Sequence, residues 1–397
     1  MILSKKAEKI KSSITLEITA KANEMKSTGI DVIGFGAGEP DFNTPENIQR
    51  AAVDAMKKGH TKYTPASGIL ELKKAVSRKF KRDNGLNYNT DQIIISTGAK
   101  QCLCNAFEAV LNPGDEVIIP VPYWVSYPEL VRLSDGVPAF VNTKEENNFK
   151  YTVEDLERAY TERTKMILIN SPNNPTGSIY SREELEKIAD FAKRRDILIL
   201  SDEIYEKLIY GDSKHVSISS ISEDSYKRTI VVNGVSKTYA MTGWRIGYCA
   251  ADKNIIKLMS NVQSHTTGNP NSVAQYAALA ALNGENSQVE KMVNEFKKRR
   301  QYMIEKIDTI PSLSCLKPEG AFYVMLNISK TFGKTIDGQK IGNSLEFSNL
   351  LLEKEKVAVV PGLGFGLDGY VRLSYATSME NIKKGLDRIE QFVDKLK

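Results

Sequence analysis

The chain has 397 residues, of which 41% are hydrophobic and 26% are charged, as is usual for a globular protein. Its 54 lysines and arginines and 49 acidic residues give a formal net charge of +5, which is too small for this length to indicate nucleic-acid binding. The N-terminus has no apolar signal segment, and no apolar run approaches the roughly 18 residues of a membrane span.

Short apolar runs alternate with amphipathic stretches from about residue 90 to residue 250. The predicted strands are QIIIS (92–96), EVIIP (116–120), KMILIN (165–170), ILILSD (197–202) and TIVVN (229–233). The predicted helices are 99–111, 152–160 with Thr152 at its start, and 181–196 with a capping box of Ser181 and Glu184. This alternation predicts βα units and a mostly parallel sheet.

A second, smaller domain is predicted from the rest of the chain. A long amphipathic pattern at 287–307 predicts a helix leading out of the first domain, and the C-terminal part then mixes short apolar runs with helical patterns. The N-terminal segment has no core of its own, so we expect it to pack with that C-terminal part. The predicted large domain is 47–290, and the predicted small domain combines 1–46 with 291–397.

Outside the segment 233–248, the basic, cysteine and histidine residues do not indicate a nucleic-acid site, a disulfide framework or a metal site. The basic stretches 77–85 and 296–301 lie in helical patterns with acids nearby, so we expect solvated helix faces. Four cysteines without CxxC spacing predict reduced thiols, and the three histidines are too far apart in the sequence to indicate a metal site. We therefore expect a cytoplasmic protein that binds no metal, nucleic acid or membrane.

Polar or turn residues follow four of the predicted strands. They are STGAK (96–100), NSPNNPTG (170–177), SDEIY (201–205) and NGVSK (233–237). Because ligands of open α/β sheets bind beyond the carboxyl ends of the strands, we expect these segments to line one site. The glycine-rich and GKT segments lack residues that a nucleotide-binding motif requires, and GVSKT lacks the last glycine of a serine-hydrolase elbow.

Two cations lie in the otherwise uncharged segment 233–248. Burying an unpaired charge is costly, so Lys237 and Arg245 either lie on a surface loop or meet an anionic or covalent partner. Pyridoxal phosphate would supply an aldehyde for the lysine, a phosphate for the arginine and a ring nitrogen that needs a carboxylate. STGAK opens a helix, so the N–H groups of Gly98 and Ala99 are further candidates for binding the phosphate.

Other residues are candidates to hold the ring of such a cofactor. Asp202 ends an apolar strand and is either a helix cap or the partner of a protonated ring nitrogen. Tyr205 and Asn174 are candidates to bind the 3-hydroxyl, although the Asn174 segment also reads as an ordinary turn. Trp124 either stacks on the ring or is a core aromatic.

Seven segments resemble motifs of the class I aminotransferases of pyridoxal-phosphate fold type I, in the family's order and over nearly the whole chain. They are GEPDF (38–42), YTPASGILELKKAV (63–76), PYWVSYPE (122–129), NSPNNPTG (170–177), SDEIY (201–205), SKTYAMTGWRIGY (236–248) and VRLSYA (371–376). The chain is most similar to the prokaryotic aspartate aminotransferase subgroup. The resemblance implies an α/β fold: a large domain whose mostly parallel central sheet is wrapped by helices, and a smaller α+β domain built from both termini.

The resemblance also implies pyridoxal 5′-phosphate as cofactor, a homodimer with shared active sites, and a role for each matched residue. Lys237 would carry the cofactor and shuttle a proton, and Asp202 would pair with the ring nitrogen. Arg372 and the backbone of Gly38 would bind the α-carboxylate of the substrate. The matched positions around the phosphate are Gly98, Ala99, Lys100, Ser236, Arg245 and, from the neighbouring subunit, Tyr63. Those around the cofactor ring and the substrate are Trp124, Asn174 and Tyr205.

One departure from the family concerns the second carboxylate of an acidic substrate. Animal and enteric aspartate aminotransferases bind it with an arginine of the partner subunit, and the corresponding stretch here, 263–270, has none. In the prokaryotic subgroup a lysine and a threonine take this role, and Lys100 and Thr15 occupy their places. Some members accept prephenate, for which Lys11 is a candidate.

The implied function is ping-pong transfer of the amino group between L-aspartate or L-glutamate and 2-oxoglutarate or oxaloacetate. Three kinds of alternative stay open. One is an aminotransferase for aromatic amino acids, prephenate, alanine or kynurenine-type substrates. Another is a C–S lyase, and a remote one is a regulatory module that binds pyridoxal phosphate.

Overall fold

A computed structural model describes residues 3–8, 10 and 14–397, without the side chains of residues 15, 16 and 19. In this part of the chain a seven-stranded central sheet is accompanied by a four-stranded sheet and two small two-stranded pairs. The helices are α1 (Lys5–Glu8), α2 (Ile14–Ser27), α3 (Glu46–Lys57), α4 (Leu70–Asn84), α5 (Ala99–Val110), α6 (Ser126–Leu133), α7 (Val153–Ala159), α8 (Arg182–Arg195), α9 (Glu223–Arg228), α10 (Lys253–Thr266), α11 (Ser272–Asn283), α12 (Ser287–Asp308), α13 (Ser344–Glu355) and α14 (Met379–Asp394). The strands are β1 (Ile33–Gly34), β2 (Ile93–Ser96), β3 (Glu116–Val121), β4 (Val137–Asn142), β5 (Thr164–Asn170), β6 (Leu198–Asp202), β7 (Thr229–Gly234), β8 (Gly247–Ala250), β9 (Ser314–Cys315), β10 (Tyr323–Asn327), β11 (Thr335–Ile336), β12 (Gln339–Lys340), β13 (Val357–Ala358), β14 (Val360–Pro361) and β15 (Tyr370–Ser374).

The central sheet has the strand order β2-β8-β7-β6-β5-β3-β4. All neighbouring strands are parallel except β8, which runs antiparallel to both β2 and β7. The α/β fold with a mostly parallel sheet is therefore confirmed, as are the five predicted strands and the predicted helices. The predicted capping box of α8 is present, with each of Ser181 and Glu184 accepting a hydrogen bond from the other's backbone N–H. The sequence analysis missed β4 and β8.

The strands are continuous apolar runs because both faces of the sheet are covered. In β5, Met166 and Leu168 pack into one buried cluster, while Ile167 and Ile169 pack into another. This alternation is the two-residue period of a strand, and both sets of side chains are fully or almost fully buried.

The two ends of the chain meet in the second, smaller assembly. Strand β1 pairs in parallel with β13, and β14, β15, β10 and β9 form an antiparallel sheet. Helix α12 joins the two parts: Val289 packs with the core on the central sheet, whereas Met303 and Ile307 pack with the other core. The proposed boundary between 290 and 291 thus falls within one continuous helix, and the two-domain division remains a proposal.

The expectation of solvated basic helix faces is wrong for three residues. Lys79 forms an ion pair with Glu206, and the two side chains are only 3% and 4% exposed. Arg299 donates to both carboxylate oxygens of Asp41, at 2.7 and 2.9 Å, and Arg300 donates to the carbonyl oxygen of Pro318 at 2.5 Å. Glu206, Asp41 and Pro318 are distant from these residues in the sequence, so local charge patterning did not reveal them, although Arg299 also pairs with the nearby Glu295.

Two predicted absences can be examined in the described part of the chain. None of its helices is both long and apolar enough to cross a membrane. The four cysteines are all free thiols.

Candidate active site

The four polar strand ends meet at one cavity of about 640 Å³. It lies at the carboxyl edge of the parallel strands, where β2, β5, β6 and β7 end. Because β8 is antiparallel, its beginning lies at this same edge, which brings Arg245 to the cavity. The wall is completed by the segment 34–39 and by Arg372, both from parts of the chain outside the central sheet.

Lys237 follows β7 and reaches into the cavity. Its Nζ donates a hydrogen bond to the carbonyl oxygen of Gly38 at 2.5 Å. Burial lowers the pKa of Lys237 to about 8, and the charges of Arg245 and Arg372 add to this effect, while those of Glu39 and Asp202 oppose it. The neutral amine, which is the nucleophilic and basic form, is therefore accessible near neutral pH.

An anion site lies beside Lys237, at the start of helix α5. The N–H groups of Ala99 and Lys100 donate to no other residue in the described structure, whereas that of Gly98 already donates to Ser96 O at 2.8 Å. Gly98 has a φ of +82°, and a Cβ there would overlap the guanidinium of Arg245. Arg245 donates to Thr242 O at 2.9 Å and has no acidic partner among the described residues. A helix N-terminus and a guanidinium without an acidic partner together suit a phosphate. Contrary to our expectation, the N–H of Gly98 is not available to bind it.

Asp202 lies buried on the other side of the cavity. Its Oδ2 accepts a hydrogen bond from the Tyr127 hydroxyl at 2.7 Å, and its Oδ1 accepts one from the N–H of Ile204 at 3.2 Å. Burial raises the pKa of Asp202 to about 6, although these two hydrogen bonds act against the rise. No described cation forms an ion pair with it, so this carboxylate is available to a cationic ligand group.

Arg372 is a buried guanidinium that also lacks an acidic partner among the described residues. Nη1 donates to Asn174 Oδ1 at 3.0 Å and Nη2 donates to Gly36 O at 3.1 Å, while the buried Nε has no partner. The guanidinium carbon lies 4.3 Å from the ring centroid of Tyr323, and burial lowers the pKa of Arg372. Since a buried cation needs compensation, this position suits a carboxylate ligand.

The sequence and the fold are similar to those of known proteins. A family model described as aminotransferase class I and II matches residues 30–389. The chain belongs to this family. It is 52% identical over 395 residues to an aspartate aminotransferase of Bacillus subtilis, with 100% of both chains covered. It is 50% identical over 392 residues to a probable aspartate/prephenate aminotransferase of Rickettsia typhi, with 98% of both covered. The crystal structure of an aspartate aminotransferase from Rhizobium meliloti superposes with a TM-score of 0.97 at 43% identity, and the match covers 100% of both chains.

Aminotransferases of this family use pyridoxal 5′-phosphate, and the residues of the cavity fit that cofactor. The free amides of α5 and the Arg245 guanidinium suit its phosphate, and Asp202, with no cationic partner of its own, suits its ring nitrogen. Burial shifts Lys237 toward the neutral amine that an aldehyde requires. Among the described residues, the first two N–H groups of α5 have no hydrogen-bond acceptor, and Lys237, Arg245 and Asp202 form no ion pair. These groups are therefore available to a ligand that carries both an anionic and a cationic group.

The structure brings most of the predicted residues together. Those lining the cavity are Gly38, Ala99, Lys100, Trp124, Asn174, Asp202, Tyr205, Ser236, Lys237, Arg245 and Arg372. Gly98 adjoins them as the N-cap of α5. The Nζ of Lys100 lies 5.1 Å from the ring centroid of Trp124, and burial and the charge of Arg245 lower its pKa.

One predicted residue does not line the cavity within this chain, and two others cannot be placed because they lie wholly or in part outside the described residues. Tyr63 is 99% exposed and does not line it within this chain. The side chain of Thr15 and the whole of Lys11 lie outside the described residues. The contacts of Thr15 and Lys11 with a substrate therefore stay predictions.

Three further residues of the candidate site were not predicted from the sequence. Tyr127 binds Asp202, and the hydroxyl of Tyr323 lies 3.0 Å from that of Tyr205. Asn170 donates to Asp202 O at 3.0 Å and accepts from the N–H of Asn174 at 2.8 Å, which fixes two strand-end segments to each other. Both tyrosines lie in segments with several aromatic residues, and nothing in those segments distinguishes a site residue from a core residue.

Two buried glutamates and a half-buried histidine form a cluster in the chain that follows β6. Glu203, Glu206 and His215 have potential metal-binding atoms within 4.8 Å of one another, a proximity that sequence spacing did not reveal. Lys79 pairs with Glu206, and His215 Nε2 lies 3.0 Å from Glu203 Oε2. Because the buried ammonium group of Lys79 already compensates negative charge in this cluster, we assign no metal to it.

Proposed function

We propose that this aminotransferase moves the amino group between L-aspartate or L-glutamate and 2-oxo acids such as 2-oxoglutarate and oxaloacetate, by a ping-pong mechanism. The observation that carries the proposal is the buried Arg372 guanidinium without an acidic partner, in the same cavity as a lysine with a pKa of about 8. The Bacillus subtilis relative, 52% identical along the whole chain, supports the choice of aspartate.

The assigned roles follow from where each side chain lies. Pyridoxal phosphate, when bound, supplies an aldehyde carbon that receives the amino group and a ring that takes up the electron pair left by removal of the α-proton. Lys237, as a neutral amine, would accept the α-proton of the amino-acid substrate and hold it for return. The Asp202 carboxylate would hold the ring nitrogen of the cofactor and favour its protonated form. Arg372, held by Asn174 and Gly36, binds the α-carboxylate of each substrate in a fixed orientation.

Chemical trapping tests the role of Lys237. Borohydride reduction of the yellow holoenzyme should fix the cofactor to Lys237, and peptide mapping reads out the site. Lys237→Ala should still bind the cofactor but should lose about 10²–10⁴-fold or more in the rate of proton transfer. An adduct on a different lysine, or a Lys237→Ala variant that transaminates normally, would refute the assignment.

Substrate profiling tests the choice of an acidic substrate. The side chains of Thr15 and Lys100 would bind the distal carboxylate, whereas Lys100 offers the phosphate its backbone N–H, so Thr15→Val and Lys100→Ala should raise the barrier for aspartate by about 2–4 kcal/mol and change that for phenylalanine little. Arg372→Lys is the matched control, because every amino acid has an α-carboxylate and all donors should suffer alike. Equal losses on aspartate and phenylalanine in both distal variants would show that Thr15 and Lys100 serve the cofactor or the fold.

A second candidate activity uses aromatic amino acids, prephenate or alanine. The Rickettsia typhi relative, whose name includes prephenate, favours the prephenate variant. Half-reactions with single donors separate these activities from aspartate transamination and from C–S lysis. A protein that binds the cofactor and turns over none of the donors would favour the remote alternative of a regulatory module.

We further propose a cytoplasmic homodimer with shared active sites. The almost fully exposed Tyr63 supports this proposal, because the family resemblance assigns it to the cofactor phosphate of the neighbouring subunit. Mixed dimers of Tyr63→Ala and Lys237→Ala chains should regain activity, since one of their two sites would have both residues intact. A lack of rescue in verified mixed dimers would contradict shared sites. The four free thiols support the cytoplasmic location, which cell fractionation tests.

A further inference from the structure

Tyr127 lies in the wall of the cavity, and its contacts hold it in place. It lies in the first turn of α6, is only 2% exposed, and its hydroxyl donates to Asp202 Oδ2 at 2.7 Å. Its ring packs edge-on against Trp124, with ring centroids 5.2 Å apart and an interplanar angle of 78°. The hydroxyl therefore has little freedom to leave the carboxylate.

The Tyr127 hydroxyl is the one side-chain donor to the Asp202 carboxylate in the described structure. The other donor is the backbone N–H of Ile204, whose bond to Oδ1 is longer, at 3.2 Å. The titratable groups that face Asp202 are Tyr127, Cys102, Glu203, Tyr205 and Lys237. Of these, Glu203 favours the protonated acid by its negative charge, and Lys237 favours the carboxylate.

We propose that Tyr127 is a positioning residue, which aims the Asp202 carboxylate into the cavity and keeps it charged at neutral pH. The inference rests on the proposed function, because it gives Asp202 its role opposite the ring nitrogen of the cofactor. Tyr127 itself touches neither substrate nor reacting atoms in this assignment and acts through Asp202.

Two opposing effects make the Tyr127 hydroxyl decisive for the protonation state of Asp202. Burial raises the pKa of Asp202 to about 6, so a further rise would protonate the acid across the neutral range. A hydrogen bond from a hydroxyl to a carboxylate is charge-assisted and favours the ionised acid. Burial and the nearby Asp202 also raise the pKa of Tyr127 well above its usual value, so this hydroxyl keeps its proton and remains a donor.

The test is Tyr127→Phe, which removes the hydroxyl and keeps the ring that packs on Trp124. Carbon NMR of the cofactor-free protein follows the Asp202 carboxyl through a pH titration, and Asp202→Asn assigns its signal. The proton affinity of Asp202 should increase about tenfold or more. In the holoenzyme, the acid limb of the kcat/KM profile should move to higher pH in the same direction.

Two further variants separate this role from a structural one. Tyr151→Phe is the matched control, since Tyr151 is equally buried and its hydroxyl donates to the backbone carbonyls of Ile118 and Leu168, away from Asp202. Tyr151→Phe should leave unchanged both the midpoint of the Asp202 titration and that of the acid limb of the kcat/KM profile. Tyr127→3-fluorotyrosine keeps the hydroxyl and makes it a stronger donor, so the Asp202 midpoint should move down, and this measurement stands even if the Phe variant folds poorly.

Unchanged Asp202 midpoints in Tyr127→Phe and in the fluorinated variant would overturn the inference. If Asp202→Asn is inactive in that case, the proposed function stands and only the role of Tyr127 is refuted. If Asp202→Asn and Lys237→Ala both transaminate normally, the proposed function itself fails, whatever the titration of Asp202 shows.

Discussion

Lys237 in the cofactor-free protein should titrate far below an ordinary lysine. Its pKa of about 8, against 10.5 for a free side chain, results first from burial. At about pH 7.5 this leaves about a quarter of the amine neutral, against about one part in a thousand for an unperturbed lysine. We therefore expect Lys237 to react with an acylating reagent about 200-fold faster than an exposed lysine of the same intrinsic reactivity.

Neighbouring charges predict the sign of the shift in two variants. Arg245 lowers the pKa of Lys237 and Glu39 raises it. Arg245→Met should therefore raise the labelling midpoint, and Glu39→Gln should lower it. General loosening of the site would move both midpoints toward that of a free lysine, so opposite shifts identify the electrostatic cause.

The assay is competitive acetylation over a range of pH, with the Lys237 peptide quantified by mass spectrometry against exposed lysines of the same sample. Because the folded pKa is lower, the folded chain binds fewer protons than the unfolded chain between about pH 8 and 10.5, so this group makes the unfolding free energy rise with pH in that window. A Lys237 midpoint near 10.5, or shifts of the same sign in both variants, would refute the reasoning.

Two other changes test parts of the structure that surround the site. Lys79→Met should destabilise the protein by about 3–5 kcal/mol in urea unfolding, since it leaves the Glu206 carboxylate buried without its cation; an effect as small as that of an exposed lysine would contradict the buried pair, and Lys79→Met with Glu206→Leu should recover much of the loss. Gly98→Ala should weaken binding of pyridoxal phosphate to the cofactor-free protein about tenfold or more, because the new methyl group overlaps the Arg245 guanidinium. Gly85→Ala is its control, as Gly85 also has a positive φ but open space around its Cβ position, and equal affinities in the two variants would argue against the overlap.

The sequence predicted those features that depend on residues close to one another in the chain. Alternating apolar runs and amphipathic stretches predicted the parallel strands and their helices, because burial on both faces of a sheet requires continuous apolar strands. The strand-end segments predicted one ligand site, since parallel strands bring their carboxyl ends to the same edge. Lys237 and Arg245 were found because charged residues in an apolar segment are unusual.

Contacts between distant segments could not be predicted in this way. Tyr127 reaches Asp202 across 75 residues, and Lys79 reaches Glu206 across the interface of α4 with the segment after β6. Tyr127 alone reads as an ordinary core aromatic and Lys79 as a surface charge, and nothing in the sequence near Asp202 or Glu206 identifies these partners. The antiparallel direction of β8 is a similar case, because a four-residue apolar strand has the same pattern in either direction.

The sequence by itself thus determined the order of the elements and the chemical types of group at the site. The tertiary structure decided which of those groups have partners. It left Arg372 and Asp202 without ion-pair contacts among the described residues, while it paired Lys79, Arg299 and the N–H of Gly98 with other groups. The physical reason is that the cost of a buried charge depends on what lies within a few ångströms, and that distance is set by packing between segments far apart in the chain.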